Sequence, residues 1–403
     1  MLCGVLLSAY PAVTFVRGGV NTVFALLLLL SLWMLVYLRG QARDDPATRM
    51  WVVVYAAAMA SMPLAVLCSE WARSEWIGRY FDAPSRFLLA VPVFLALRRL
   101  PTRHWRWLGL GFAAGALYAA GAVLFDPFDY GPGRPGLYFL YPIPFGDLAL
   151  IIGVLAAMSV DWVGRDRPWE RVFKYLALLG GGLASVLSAS RGGWVAVPFL
   201  GLWWLWFRRD RLSLRMMLAL VVGAAALAGA AYGLVPTIHQ RIDLIGSNLL
   251  AFDHGDPNTS IGLRFQLWRA AWWLFWQHPW FGVGPEGFRL AMPMLQHMGV
   301  LSPLAAQIGM AENEIIAKAV QNGLPGLLSV LSVYVVPFVL FLRRSEHSDA
   351  VRRRAARMGV VLVSAFFIFG LTVEIFVLTM LSAFYALSCA VLLAVVLRSD
   401  AAD

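Results

Sequence analysis

Val20-Asn-Thr-Val-Phe-Ala-Leu-Leu-Leu-Leu-Leu-Ser-Leu-Trp-Met-Leu-Val-Tyr-Leu38 carries no charge over its whole length and stops at Arg39. About 20 apolar residues in helical form cross the ~30 Å hydrocarbon core of a bilayer. Its apolar residues surround the helix axis, so water would be a poor solvent for every face. The stretch therefore reads as a membrane-spanning helix, and the pattern repeats on both sides of it. Spans are expected at 2–16, 20–38, 50–68, 85–97, 105–124, 144–163, 173–188, 193–207, 213–234, 323–342, 357–374 and 377–397. The first of these has neither a basic region before it nor an A-x-A cleavage site, and is read as a retained helix.

Composition agrees. Of 403 residues, 60% are hydrophobic and 14% charged. The mean hydropathy is +0.70. Soluble domains carry roughly 25% charged residues. The net charge of +10 is not spread evenly. Twenty-two of the 33 Lys and Arg residues fall in alternate short loops and the C-terminal tail, from Arg39, Arg43 and Arg49 to the run Arg352–Arg353–Arg354 and Arg398. Such loops face the cytoplasm. Twelve spans with both termini cytoplasmic follow. The basic pI near 9.9 is then a signal of orientation, helped by anionic headgroups, and not a nucleic-acid footprint. Cys3, Cys68 and Cys389 lie in or beside apolar segments, without metal or disulfide spacing, and read as small buried hydrophobes.

The hydrophobic pattern breaks once for long, over 235–322, which divides the chain into an N-terminal bundle (1–234, about nine spans), a large outer loop (235–322) and C-terminal helices (323–403). Loops of that length are usually functional. Ile261–Gln277 has Leu263, Leu267, Ala271, Leu274 and Phe275 at helical spacing, with Ser260 as its cap and Pro279 as its stop. Trp268, Trp272, Trp273 and Trp276 suit the headgroup level, so the helix reads as interfacial. His278-Pro-Trp-Phe-Gly-Val-Gly284 reads as a tight turn in which Gly282 and Gly284 allow positive φ or close approach. A second helix is expected from Ala311 to Asn322, before Gly323-Leu-Pro-Gly326 enters the tenth span.

Leu263-Arg-Phe-Gln-Leu-Trp268, the turn His278–Gly284, the segment Asn313–Gly326, and Ser190-Arg191-Gly192 at the outer end of the seventh span together resemble the O-antigen ligase and polymerase superfamily. There an arginine opens an outer-loop helix that ends in P-x-x-G-x-G, and H-N-x-x-L-(x)6-G-x-x-G precedes the next span. The resemblance implies an all-α, GT-C-like integral membrane protein of about 12 transmembrane helices with one large periplasmic loop, in the bacterial inner membrane. It implies transfer of a glycan from undecaprenyl diphosphate to an acceptor, without cofactor or metal, by a monomer in contact with membrane lipids. A single late loop and no soluble C-terminal domain look most like the ligases, whose acceptor is lipid A-core. The polymerase is the alternative within the superfamily. A polar-lipid transporter is the rival of another class, disfavoured because no second copy of the loop motifs is present.

The same resemblance implies roles. Arg191 and Arg264 would contact the carrier diphosphate, which guanidinium groups match bidentately. Glu312, standing where the family has histidine, would take the proton of the acceptor hydroxyl. Asn313 would orient that base or bind sugar hydroxyls, with Arg269, Lys318 and Arg289 as further cations. Glu314 reads as solvated. Asp147 and Glu374, carboxylates in or near apolar spans, are functional candidates or partners of interior arginines. Asp253-His-Gly-Asp256 reads as a turn and not a metal site, and His239, His278 and His297 have no visible partner pattern.

Overall fold

The computed structural model describes residues 2–37, 46–131, 134–234 and 236–398. In chain order come α1 (Leu2–Ala12), α2 (Gly19–Tyr37), α3 (Pro46–Arg73), α4 (Asp82–Leu97), α5 (Arg106–Phe125), a two-residue hairpin of β1 (Phe128–Asp129) and β2 (Pro135–Gly136), then α6 (Pro142–Met158), α7 (Pro168–Leu187), α8 (Arg191–Trp206), α9 (Leu214–Leu234), α10 (Pro236–Asp253), α11 (Ser260–Gln277), α12 (Gly287–His297), α13 (Pro303–Ala306), α14 (Glu314–Arg344), α15 (Ala350–Gly370) and α16 (Thr379–Val396).

A helix lies over each expected span. Among the described residues, six stretches, Gly19–Tyr37, Pro46–Arg73, Gly78–Leu97, Arg106–Phe125, Glu314–Arg344 and Thr379–Val396, are long and apolar enough to cross a bilayer, and α1, α6 and α8 are shorter apolar helices. α2 leaves Leu29, Trp33 and Val36 more than 60% exposed. Apolar surface of that extent is tolerated by lipid and not by water. This is a multi-pass membrane protein. α16 is apolar all round and is buried on every side, against α4, α15, α2 and α14. Of the cysteines only Cys389, on α16, is buried; Cys68 is exposed on the outer face of α3 and Cys3 is intermediate, so the expected burial holds for one of three.

Two apolar clusters organise the chain. The large one joins α1–α8 and α14–α16. The second is made by Leu267, Ala271 and Leu274 of α11, Phe288, Met292 and Leu295 of α12, Ala305 of α13 and Ala317 and Val320 of α14. Residues 263–320 are thus packed around a core of their own. The buried face of α11 contains Leu267, Ala271, Leu274 and Phe275, four of the five residues its spacing predicts; Leu263 is half-buried at the edge of the cluster.

Several boundaries differ from the sequence reading. The cap of α11 is Thr259, whose Oγ1 accepts from Gly262 N at 3.0 Å, and Ser260 is the first helical residue. The helix expected from Ala311 starts at Glu314 and continues into the tenth span as α14, broken only at Gly323 (φ 65°, ψ −151°). Its polar first turns, with Lys318, Gln321 and Asn322, hid that continuity from a hydropathy argument. The helix over the eleventh expected span, α15, ends at Gly370 instead of 374, and 371–378 is an irregular connection. α1 stops at Ala12, four residues early, because Val13–Gly18 folds into turns and Gly18 takes φ 73°.

The break in α14 has an explicit partner. Val283 N and Gly284 N donate to the Val320 and Gln321 carbonyls at 2.9 and 2.8 Å, and Leu324 N donates to Pro279 O at 2.7 Å. The glycine turn therefore supplies backbone groups where the helix loses its own. Gly282 and Gly284 take φ of 67° and 87°, and a Cβ on Gly282 would lie 2.5 Å from the Gln321 carbonyl. From α3, Ser69 Oγ donates to Phe281 O at 2.5 Å, and Arg73 lies under Gly284 while pairing with Glu70 at 2.8 Å.

Candidate functional site

Four segments meet around Glu312. The first is the opening turn of α11, where the Thr259 cap directs Arg264 towards α14 and the α15–α16 connection. Arg264 Nε lies 3.0 Å from Glu312 Oε2, and its Nη2 donates to Thr372 O at 3.3 Å. Nη1 has no protein partner among the described residues. Both side chains of the pair are part-exposed, 30% and 35%, so the pair borders open space.

The second segment is 311–314. Glu312 has φ 50°, one of four non-glycine residues with positive φ among those described. Side chains other than Asn, Asp and Gly rarely take that conformation, and such strain persists only where neighbours over-determine it. They do so here. Asn313 is the cap of α14: its Oδ1 accepts from Ile315 N and Ile316 N at 3.0 and 3.1 Å, and its Nδ2 donates to Leu371 O at 3.3 Å. Glu314 is fully buried, not solvated. It accepts from Phe376 N at 2.8 Å and faces Lys318 Nζ at 3.5 Å.

The third segment is the α15–α16 connection. Glu374 is 4% exposed, accepts from Ala311 N at 2.6 Å and from Gln321 Nε2 at 3.3 Å, and has no arginine partner among the described residues. Burial, then the neighbouring Glu314 charge, raises its pKa to about 7.

The fourth is the start of α8. Ser190 caps it by accepting from Gly193 N, and also donates to the Asp147 carboxylate of α6. A Cβ on Gly192 would lie 2.6 Å from Thr372 Oγ1, which puts the first turn of α8 against the residue whose carbonyl holds Arg264. Arg191 opens α8 at that place, and its side chain lies outside the described residues.

The cations are thereby sorted. Lys318 is 7% exposed and committed to Glu314 and to Gln321 Oε1 at 3.4 Å. It supports the segment from inside and is not presented to a ligand. Arg289 is exposed and pairs with Glu286 at 3.3 Å, and Arg79 bonds the same carboxylate. Arg269 is exposed on another face of α11, with no protein partner among the described residues. Neither joins the Glu312 cluster. Among the described residues no three His, Cys, Asp or Glu side chains gather as a metal site. Asp256 accepts from Asn258 N at 2.9 Å in a turn with Gly255 at φ 91°, as its composition suggests. His239, by contrast, does have a partner, Asp243 at 3.0 Å.

The geometry thus offers a guanidinium with one free edge and a part-exposed carboxylate beside it, with the first turn of α8 packed against Thr372. Residues 176–331 match a family profile described as O-antigen ligase. This match supports the O-antigen ligase and polymerase superfamily for these residues. The match runs from α7 to the middle of α14 and takes in Ser190–Gly192, Arg264, the glycine turn and Glu312–Gly326. The superfamily comprises glycosyltransferase-like membrane enzymes. A protein of Haemophilus influenzae strain Rd, described as an uncharacterized protein, is 23% identical over 303 residues, covering 72% of this chain and 73% of its own. The connection that carries Thr372 and Glu374 lies beyond the O-antigen ligase match. Sequence reading named Glu374 but not the neighbouring Leu371 and Thr372 carbonyls, for which a backbone role leaves no residue-type signal.

Proposed function

We propose that the chain is an O-antigen ligase: it transfers a glycan from undecaprenyl diphosphate to lipid A-core, inverting and without a metal, at the periplasmic face of the inner membrane. The observation that carries this reading is the Arg264–Glu312 pair, held with Glu312 in a strained backbone conformation inside the matched domain. Twelve spans with both termini cytoplasmic, suggested by the distribution of arginine, would place this pair on the outer side.

In this reading the donor diphosphate lies against the free edge of Arg264 and beside Arg191. Glu312 takes the proton of the acceptor hydroxyl. The hydroxyl oxygen attacks the anomeric carbon from the face opposite the diphosphate, the new glycosidic bond forms, and the old carbon–oxygen bond breaks. The leaving diphosphate takes up the bonding electrons as negative charge, which the two guanidinium groups stabilise. These fixed cations serve where other enzymes use a divalent ion.

Deletion of the gene, examined by lipopolysaccharide gel, tests the reading. Loss of all polymer on lipid A-core with carrier-linked polymer retained supports it. A single repeat unit on the core points to the polymerase instead. Transfer that survives both Arg264→Ala and Arg191→Ala overturns the diphosphate clamp.

A further inference from the structure

A ring of hydrogen bonds runs behind the candidate base and closes on itself. Ala311 N donates to Glu374 Oε1, Gln321 Nε2 donates to Glu374 Oε2, Lys318 Nζ donates to Gln321 Oε1, Lys318 faces Glu314 across 3.5 Å, and Glu314 accepts from Phe376 N, two residues after Glu374. The two carboxylates cross: one from the α15–α16 connection holds the segment before α14, and one from α14 holds the connection. Glu312 sits between the two anchored points, Ala311 and Asn313. Its left-handed backbone would relax to an ordinary conformation if either were released.

We infer that Glu374 is a positioning residue for transfer, which through the Ala311 amide and Gln321 fixes the backbone of Glu312 so that its carboxylate meets Arg264. This rests on the reading of Glu312 as base. A plain acceptor for one amide could be a glutamine. A carboxylate does more, because its second oxygen fixes the Gln321 amide, which in turn presents its own oxygen to Lys318. A proton on Oε2 would set a donor against the Gln321 Nε2 donor, and the side chain of Gln321 would have to turn, opening the ring. The charged groups facing Glu374 are Glu314 and Lys318 of α14, with Arg264 and Glu312 next along the site. With Glu374 titrating at about pH 7, the intact ring belongs to the alkaline side.

The test is a double-mutant cycle on the full chain in nanodiscs, with an undecaprenyl-diphosphate-linked glycan as donor and lipid A-core as acceptor. Glu374→Leu is expected to lower kcat on the order of 100-fold, the scale of an ångström misplacement of a catalytic group, with donor KM changed less than about threefold. In a Glu312→Ala background the same change should cost less than about threefold. Glu374→Gln, a mimic of the protonated form, should remove the limb of the kcat profile near pH 7 and hold the rate at the acid plateau of the parent. Losses that multiply in the cycle, a Glu374→Leu effect below threefold, or a limb that persists in Glu374→Gln overturn the positioning role. If Glu374→Leu does not fold, the pH profile of Glu374→Gln decides alone. A Glu312→Ala rate equal to that of the parent overturns the base itself and this inference with it, an outcome distinct from multiplied losses, which overturn positioning only.

Discussion

Removing the side chain of Asn313 separates a capping role from a sugar-binding one. Its Oδ1 takes two amide protons at the start of α14, and its Nδ2 donates to the Leu371 carbonyl. A lost cap of this kind costs about 1 kcal/mol. The lost bond to Leu371 costs about 1 kcal/mol more, because the carbonyl is left in a part-buried place. Asn313→Ala should therefore make local opening easier by about 2 kcal/mol, roughly a 30-fold rise in amide exchange. Asn313→Asp keeps the cap and loses the donor, so it should recover about half of that free energy. Hydrogen exchange with mass spectrometry on peptides spanning 311–318 reads both, and the peptide around Leu371 should follow. If Asn313→Ala leaves exchange at Ile315 and Ile316 unchanged and raises only the KM for donor or acceptor, the side chain binds sugar, and the capping account is refuted.

The pH dependence of the clasp has a definite sign. Glu374 has its pKa raised from 4.5 to about 7 on folding, so its contribution to stability is fully present below about 4.5 and is lost as pH rises through about 7. Glu374→Gln should then be more thermostable than the parent at pH 8, by up to roughly 3 kcal/mol, and no more stable at pH 4; equal melting curves at pH 8 would count against burial of an ionised group. Gly323→Ala forces a Cβ to within 2.5 Å of the Trp280 carbonyl carbon at φ 65°, and should cost about 2 kcal/mol or more, seen as a lost monodisperse peak in detergent chromatography. Glu312→Gln should cripple transfer while Glu312→His retains it; equal rates for all three side chains would sink the base role. Arg269→Ala, which breaks no hydrogen bond or ion pair among the described residues, should change melting by less than about 0.5 kcal/mol, against a larger loss for Arg264→Ala.

The membrane architecture was legible because it rests on one physical term. Runs such as 20–38 need lipid or apolar protein on every face, and each expected run carries a helix. The local devices of the loop were partly legible. The face of α11 and the positive φ of Gly282 and Gly284 follow from spacing and residue type. The start of α14 was misplaced, although Asn before Glu-Ile-Ile is itself a cap signature; the apolar residue at 311 obscured it. The fate of Glu314 and Lys318 could not be read, because burial of a charge depends on partners far along the chain: Phe376 lies 62 residues from Glu314. The site joins side chains that sequence patterns mark, Arg264 and Glu312, to backbone carbonyls that they do not.

The stitch between the glycine turn and broken α14 has a consequence for biogenesis. Pro279–Gly284 finds its hydrogen-bond partners about forty residues downstream, and the clasp at Leu371–Phe376 lies roughly fifty further on. A nascent chain that ends with its loop still has an open turn and an unheld Glu312. Only when α14 and α15 have both been made and have packed together does the last anchor arrive. On the proposed reading of Glu312, the site would be complete only after the segment that follows α15 has arrived.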